Sequence, residues 1–384
     1  MIKDNVESVC FVTKITEIKA IEGADKIEQV MLGDWSCISS KGTHKVGDLV
    51  IAITHDAVIP IEISEKMNIT NYLRKQRVKT IRLRGVYSEC VIMNTDQLIE
   101  ILPDIDVHIV KEGRDLEKYL DIYKYQEPEK EVLNTQGKKV KYSENPLFEV
   151  YTKFPNVKNV GEAFFSLSDS VQVQSKRHGT NFRFGIVPIL NVSWWMKILN
   201  FLGLKKKQTH EFVFGSHHVN ISYRQNYTGF YNTNVYSDII KKYDLEIMAW
   251  LAFEEFEIEE SIVFYGEIYG PGIQKNYDYN LKEINYELFD IKINGSYEDP
   301  DTVKSLCKTY KTKLTQVLAD YISYSEFLES KDHYIKRYIP GTAIPEEGVV
   351  VKLCDQDGAG LKAIKFINPE YHDYSAKHDV SENH

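Results

Sequence analysis

The chain has 384 residues, 43% hydrophobic and 27% charged, with a net charge of −9. These values exclude a disordered chain, leave room for two or three domains with ordinary cores, and argue against a protein that coats nucleic acid over its whole surface. The five cysteines (Cys10, Cys37, Cys90, Cys307 and Cys354) are odd in number, dispersed and free of any CxxC pair, which predicts a reducing compartment, cytoplasmic or nuclear, and offers no zinc cluster.

From the N-terminus, "MIKDNVESVC" lacks the apolar core of a signal peptide. Residues 8–100 read as short strands ("SVCFVTKITEI", "CISS", "DLVIAI", "SECVIM") separated by turns such as "LGDW" and "KVGD". That spacing predicts a small all-β barrel or sandwich. Within it, "RKQRVKTIRLRG" (74–85) concentrates six cations. In "TIRLR", Ile81 and Leu83 alternate with Arg82 and Arg84, so the two arginines are expected on one strand face. Such a face suits phosphate contact, and equally a solvated surface.

Residues 101–145 turn helical ("DLEKYLDIYKY") and then polar ("QEPEKEVLNTQGKKVKYSENP"), which predicts a domain linker. Beyond 146, strand candidates ("VQVQSK", "NFRFGIV", "SIVFYGEIYG", "YELFDIKI", "GVVVKL", "LKAIKFI") mix with helical patterns at 235–255 and 301–331. An α+β domain with largely antiparallel sheets is expected, followed by a frayed acidic tail. The most apolar stretch, 186–204, is interrupted by Pro188, Asn191, Ser193, Lys197 and Asn200 and is too polar to span a bilayer.

"SKRHGTNFRFG" (175–185) carries the chemistry. In "VQVQSK", Val171 and Val173 face one way while Gln172, Gln174 and Lys176 face the other, so Lys176 leaves its strand on a polar face. Gly179 allows a tight turn and a close approach by a ligand. A surface lysine on an edge strand would read the same way. The later segments add weight in one order: Glu267 in "FYGEIYG", Phe289 and Asp290 in "LFDI", Glu347 and Lys352 in "EEGVVVKL", and Lys362 and Lys365 in "LKAIKF".

This ordered set resembles the covalent nucleotidyltransferase superfamily of polynucleotide ligases and RNA capping enzymes. "KRHG" is similar to the K-x-D-G nucleophile motif, and "KRHGTN" to the RNA ligase branch. "GADKIEQV", "KVGDLV" and "VKTIRLRG" look like the OB domain that leads the fifth RNA ligase family. The resemblance implies an OB-like RNA-binding barrel over 1–105, a helical segment and linker over 106–145, an ATP-grasp-like ligase adenylation fold over 146–372 and a flexible tail over 373–384. It implies a monomer that uses ATP and Mg2+ (or Mn2+) to join RNA 3′-OH and 5′-phosphate ends. Lys176 would attack the α-phosphate of ATP to form lysyl-AMP. AMP would then pass to the RNA 5′-phosphate, and the 3′-OH would displace it.

In that scheme His178, Gly179 and Asn181 contact the adenylate, Phe289 and Val350 sandwich the adenine, and Lys352 and Lys365 meet phosphate. Glu267 and Glu347 would hold the metal, with Glu267 also at the nucleotide. Arg82, Arg84 and His217 would contact RNA. The chain departs from the family pattern at Ser175, where an acidic residue is common; at His217, where an arginine is common; and at Lys362/Lys365, three apart rather than two. Residues 188–210 look inserted, as a cover for the domain or a docking element. A capping guanylyltransferase or DNA ligase is the alternative enzyme; both usually carry their OB domain after the catalytic one. An RNA-binding OB protein with a lapsed ligase domain is the alternative outside enzymes.

Overall fold

The computed structural model describes residues 7–125, 145–190, 209–222, 231, 233–354, 361–378 and 380. The polar linker over 126–144 and most of the expected insertion (191–208) lie outside them. Among the described residues no helix is long and apolar enough to cross a membrane.

The N-terminal domain is built on β1 (Cys10–Lys14), β2 (Glu17–Ala20), β3 (Ile27–Leu32), β4 (Trp35–Ser40), β5 (Leu49–Thr54), β6 (Ala57–Val58), β7 (Ile81–Leu83), β8 (Val86–Ser88), β9 (Cys90–Asn94) and β10 (Tyr123–Lys124). Strand β5 lies between β1 and β9, and β2, β3 and β4 form a separate meander. The first sheet is buried on both faces. Val12, Ile51, Ile53 and Met93 pack on one side with Ile59 and Leu98, while Phe11, Val50 and Ala52 pack on the other with Val30 and Leu32. Period-two alternation of apolar residues on both faces explains why these segments hold as strands.

Two expectations for this domain are refined. Of the segment expected to be helical ahead of the linker, only Glu117–Leu120 is α-helix; Leu116, Leu120 and Ile122 are core, and β10 pairs with β6. Apolar spacing in "DLEKYLDIYKY" belongs to burial against the barrel. Arg84 does not share a strand face with Arg82. Strands β7 and β8 form a hairpin with Leu83 opposite Val86, and the two-residue turn holds Arg84 at φ 47° and Gly85 at φ 83°. Positive φ at both positions is what such a turn requires.

The C-terminal domain contains β11 (Ser170–Lys176), β12 (Thr180–Pro188), β13 (His210–Gly215), β14 (Ile262–Tyr269), β15 (Asn285–Ile293), β16 (Ser296–Tyr297), β17 (Val317–Ser323), β18 (Gly348–Leu353) and β19 (Ala363–Ile367). They make two antiparallel sheets, ordered β17-β11-β18-β19 and β13-β12-β14-β15-β16. Phe182, Phe184, Phe264 and Leu288 pack the second sheet against the helices Val235–Lys242 and Leu245–Glu255. Val171, Val173, Val349 and Ile364 pack the first against Tyr324 and Phe327.

The single helix expected over 235–255 is two, broken at Asp244 in a left-handed conformation. The helix expected over 301–331 is Pro300–Thr309, then strand β17, then Tyr324–Glu329. The strand wins there because β11 needs a partner on its second edge. The tail is not frayed from 373: Pro369–His378 is helical, Asp373 is buried, and Val380 packs in an aromatic cluster with Tyr277 and Tyr371.

The two domains touch through specific polar contacts. Lys158 pairs with Glu89, whose side chain is 5% exposed, and lies 5.4 Å from the Trp35 ring. Arg74 donates to the carbonyl of Ala376 at 3.3 Å, and the rings of His55 and His372 approach to 4.4 Å. Removing one partner of a buried ion pair strands the other. Lys158→Ala should therefore lower stability by about 2 kcal/mol, less than a fully buried pair because Lys158 keeps some access to water. Calorimetric unfolding of the variant beside wild type checks this, and an unchanged transition would contradict it.

Candidate active site

Strand β11 belongs to one sheet and β12 to the other, with only Arg177, His178 and Gly179 between them. Lys176 is thus the last residue before the chain crosses the seam. Residues 313–316 stitch the same seam. Leu288 donates its N–H to Lys313 O, Thr315 donates to Leu288 O, and Ser175 donates to Gln316 O at 2.9 Å. A cavity of about 210 Å³ opens here, walled by both sheets and by residues 151–154.

Lys176 Nζ donates to Glu347 Oε1 at 2.5 Å, with the two side chains 26% and 9% exposed. Glu347 directly precedes β18, and Gly348 stands opposite Lys176 in register. Gly348 holds φ 144°, and a Cβ there would meet Phe366 O at 2.1 Å, so only glycine allows this junction. Across the cavity, Asn181 and Glu267 are directly opposite each other on β12 and β14, and both line the wall. Phe289 and Val350, from different sheets, form an apolar slot between them. His217 and Lys365 also border the cavity.

Three expected contacts are placed differently. Lys352 lines the cavity but is 1% exposed, donating to Phe289 O at 2.7 Å and to Asp290 Oδ1 at 2.8 Å. Tyr151 donates its hydroxyl to the other oxygen of Asp290 and lays its ring 4.8 Å from Phe289. Lys352 therefore braces the wall of the slot rather than presenting a free cation to phosphate. Burial pushes Asp290 up and Lys352 down, and the attraction between the two works against both shifts.

His178 is outside the cavity wall. Its ring packs edge-on to Tyr277 and Tyr371, both at 5.3 Å. Gly179 is also outside the wall. Its role is a close approach of backbones, since a Cβ would meet Ile268 O at 2.2 Å. Arg82 and Arg84 lie on the other domain and line no part of the cavity. Lys362 sits 5.2 Å and 5.4 Å from the rings of Phe164 and Phe165.

Several wall residues escaped the sequence reading. Tyr151 and Lys153 come from "VYTKF", whose aromatic density just after a polar linker was the available signal. Thr315 carries no sequence signal. Its hydroxyl is buried, borders the cavity and has no hydrogen-bond partner among the described residues. Arg177, next to the candidate nucleophile, bonds Glu287 at 2.9 Å and Glu346 at 3.4 Å between the Tyr269 and Tyr279 rings, so it is a fastener.

A lysine at the junction of two antiparallel sheets, facing carboxylates and an apolar slot and preceded by a small β-domain, defines a nucleotidyltransferase-type architecture. The RNA ligase family model matches residues 169–367, and an OB-fold domain model matches residues 9–95. The chain belongs to the RNA ligase family. Its fold is shared with solved structures of Naegleria gruberi RNA ligase. The form with PPi is 20% identical with a TM-score of 0.70 over 97% of this chain and 99% of that one. A mutant with ATP and Mn is 19% identical, TM-score 0.71, over 96% and 99%. A mutant with AMP and Mn is 19% identical, TM-score 0.69, over 96% and 99%.

Burial and then the nearby charge of Lys176 push the Lys365 ammonium down to about 8. Without ligand, between pH 8 and the ordinary lysine value of about 10.4 the unfolded chain holds a proton that the folded protein lacks, so stability should rise with pH across that window. Lys365→Met should flatten the rise, by about 3 kcal/mol at its top. Urea midpoints from pH 7.5 to 10.5 for both proteins check this; parallel profiles would contradict it.

Proposed function

We propose that this RNA ligase activates RNA ends with ATP through a covalent AMP on Lys176 and joins 3′-OH to 5′-phosphate. The observation that carries the reading is the placement of Lys176 Nζ on Glu347, beside the Phe289–Val350 slot and the Asn181–Glu267 pair. A flat purine suits an apolar slot with one aromatic wall. With adenine there, Asn181 serves the ribose or phosphate side. Lys176 attacks the α-phosphorus: a P–N bond forms, the P–O bond to pyrophosphate breaks, and the amine gives up a proton.

Free lysine is neutral in only roughly one molecule in a few thousand at pH 7, and a carboxylate partner favours its charged form. Attack therefore requires the Glu347 contact to loosen as nucleotide arrives. Glu267 on the cavity wall and Glu347, bonded to the wall residue Lys176, are the hard oxygen donors that would hold Mg2+ or Mn2+. A metal held by these carboxylates would supply positive charge beside the phosphates, and the Glu347 carboxylate would then be shared between it and Lys176. Lys365 and Lys153 offset charge on the leaving pyrophosphate. AMP then moves to the RNA 5′-phosphate, and the 3′-OH, held on the His217 side, displaces it.

The exposed Arg82 and Arg84 on the β7–β8 hairpin are assigned to RNA phosphates. Arg77 and Lys79 of the same cluster are instead bonded to Asp56, at 2.7 Å and 2.9 Å. The proposed molecule is a monomer working in a reducing compartment, in keeping with five free, buried cysteines.

Lys176→Ala should fold normally and take up no label from radioactive ATP; a labelled variant would remove the central assignment. Glu347→Ala and Glu267→Ala should each slow metal-dependent labelling at least tenfold at limiting Mg2+. Rates equal to wild type would exclude them as metal ligands. Arg82→Ala/Arg84→Ala should label normally, seal a nicked substrate poorly, and lower the slope of log K against log salt by roughly 0.7 to 0.9 per lost contact. An unchanged slope would mark the hairpin as a solvated surface.

A further inference from the structure

We propose that Gln174 reads the edge of the base, and that Asp320 determines which end of the Gln174 amide does so. The inference rests on the base slot assigned above. A glutamine amide presents an acceptor at one end and donors at the other, and which end faces a ligand decides what it selects.

Here the direction is set by a chain of three side chains. An ionised carboxylate only accepts hydrogen bonds. Gln172, fully buried, turns its Nε2 to Asp320 Oδ1 at 2.9 Å. Its Oε1 is then left on the other side and accepts from Gln174 Nε2 at 2.7 Å. Gln174 is thereby held with its nitrogen toward Gln172 and its Oε1 turned away. Among the described residues nothing donates to that oxygen. Gln174 lines the cavity and stands directly opposite Val350, one wall of the slot, in the β11–β18 register.

Asp320 is kept in its accepting form. Burial alone would push its carboxyl up, but hydrogen bonds from Lys304 and Gln172 outweigh this and hold it below the usual range.

An acceptor at this edge matches the 6-amino group of adenine, a donor. Guanine and hypoxanthine present a 6-oxo group there, so two acceptors would face each other with neither satisfied. The Thr315 hydroxyl on the same cavity donates or accepts and suits either purine, so it does not discriminate. Selection of ATP thus falls to Gln174 as the contact, with Gln172 and Asp320 as positioning residues.

The test is the rate of lysyl-nucleotide formation from ATP, ITP and purine riboside triphosphate, which lacks any 6-substituent. Wild type should prefer ATP to either analogue by tenfold or more. Gln174→Leu should use ATP no better than purine riboside triphosphate. Gln172→Leu and Asp320→Asn should lower the ATP:ITP ratio severalfold, because the Gln174 amide can then turn over. Lys304→Ala, which removes the ion pair but leaves the carboxylate, should keep the wild-type ratio. If Gln174→Leu fails to fold, Asp320→Asn, at a partly exposed position, decides. Wild-type ratios in Gln172→Leu and Asp320→Asn overturn the relay, and in Gln174→Leu they overturn the contact. A wild type that takes no label from ATP overturns the slot assignment and this inference with it.

Discussion

The catalytic geometry depends on how closely the β11–β12 crossover lies on β14 at Gly179. Its Cα lies so near β14 that a methyl group would sit 2.2 Å from Ile268 O and 2.9 Å from Glu267 Cγ. That approach lets the chain pass from β11 to β12 in three residues. It also sets Lys176 between Glu347 on one sheet and Asn181 with Glu267 on the other. A larger residue would push the crossover off β14, and Lys176 would shift relative to the β12–β14 pair that carries Asn181 and Glu267.

Charged groups do much of the fastening around this seam. Arg177 is tied to Glu287 and Glu346, and Lys352 to Asp290. Buried ion pairs add little net stability because desolvation offsets attraction. Their consequence here is directional. Lys352 and Tyr151 share one carboxylate and between them hold the backbone and ring of Phe289. The wall that would stack on a base is thereby fixed at both its main chain and its face.

Much of this was legible in the sequence, for reasons that depend on distance along the chain. Alternation in "VQVQSK" and "FYGEIYG" exposed both the strands and the polar face that carries Lys176, because period two is a local property. The failures came from partners far apart in sequence. Lys352 reads as a cation for phosphate until Asp290 is seen beneath it. His178 reads as a ligand contact until Tyr277 and Tyr371 enclose it. The segment after 373 reads as polar tail because its buried side is supplied by residues nearly a hundred positions earlier. Positive φ at Arg84 was hidden because arginine is an uncommon choice for the first position of a turn that Asn, Asp or Gly usually starts.

The nucleophile strand also has an order of assembly written into it. Both neighbours of β11 in its sheet, β17 and β18, come from well over a hundred residues downstream, and Lys176 and Glu347 are 171 residues apart. During synthesis the strand bearing Lys176 has no edge to pair with until residues 317–353 have emerged. A nascent chain that stalls earlier carries its lysine on an unpaired strand, prone to join another chain and lacking half of its cavity. Competence for chemistry and completion of the sheet are therefore one event, and an interrupted chain is an aggregation hazard rather than a partly active enzyme.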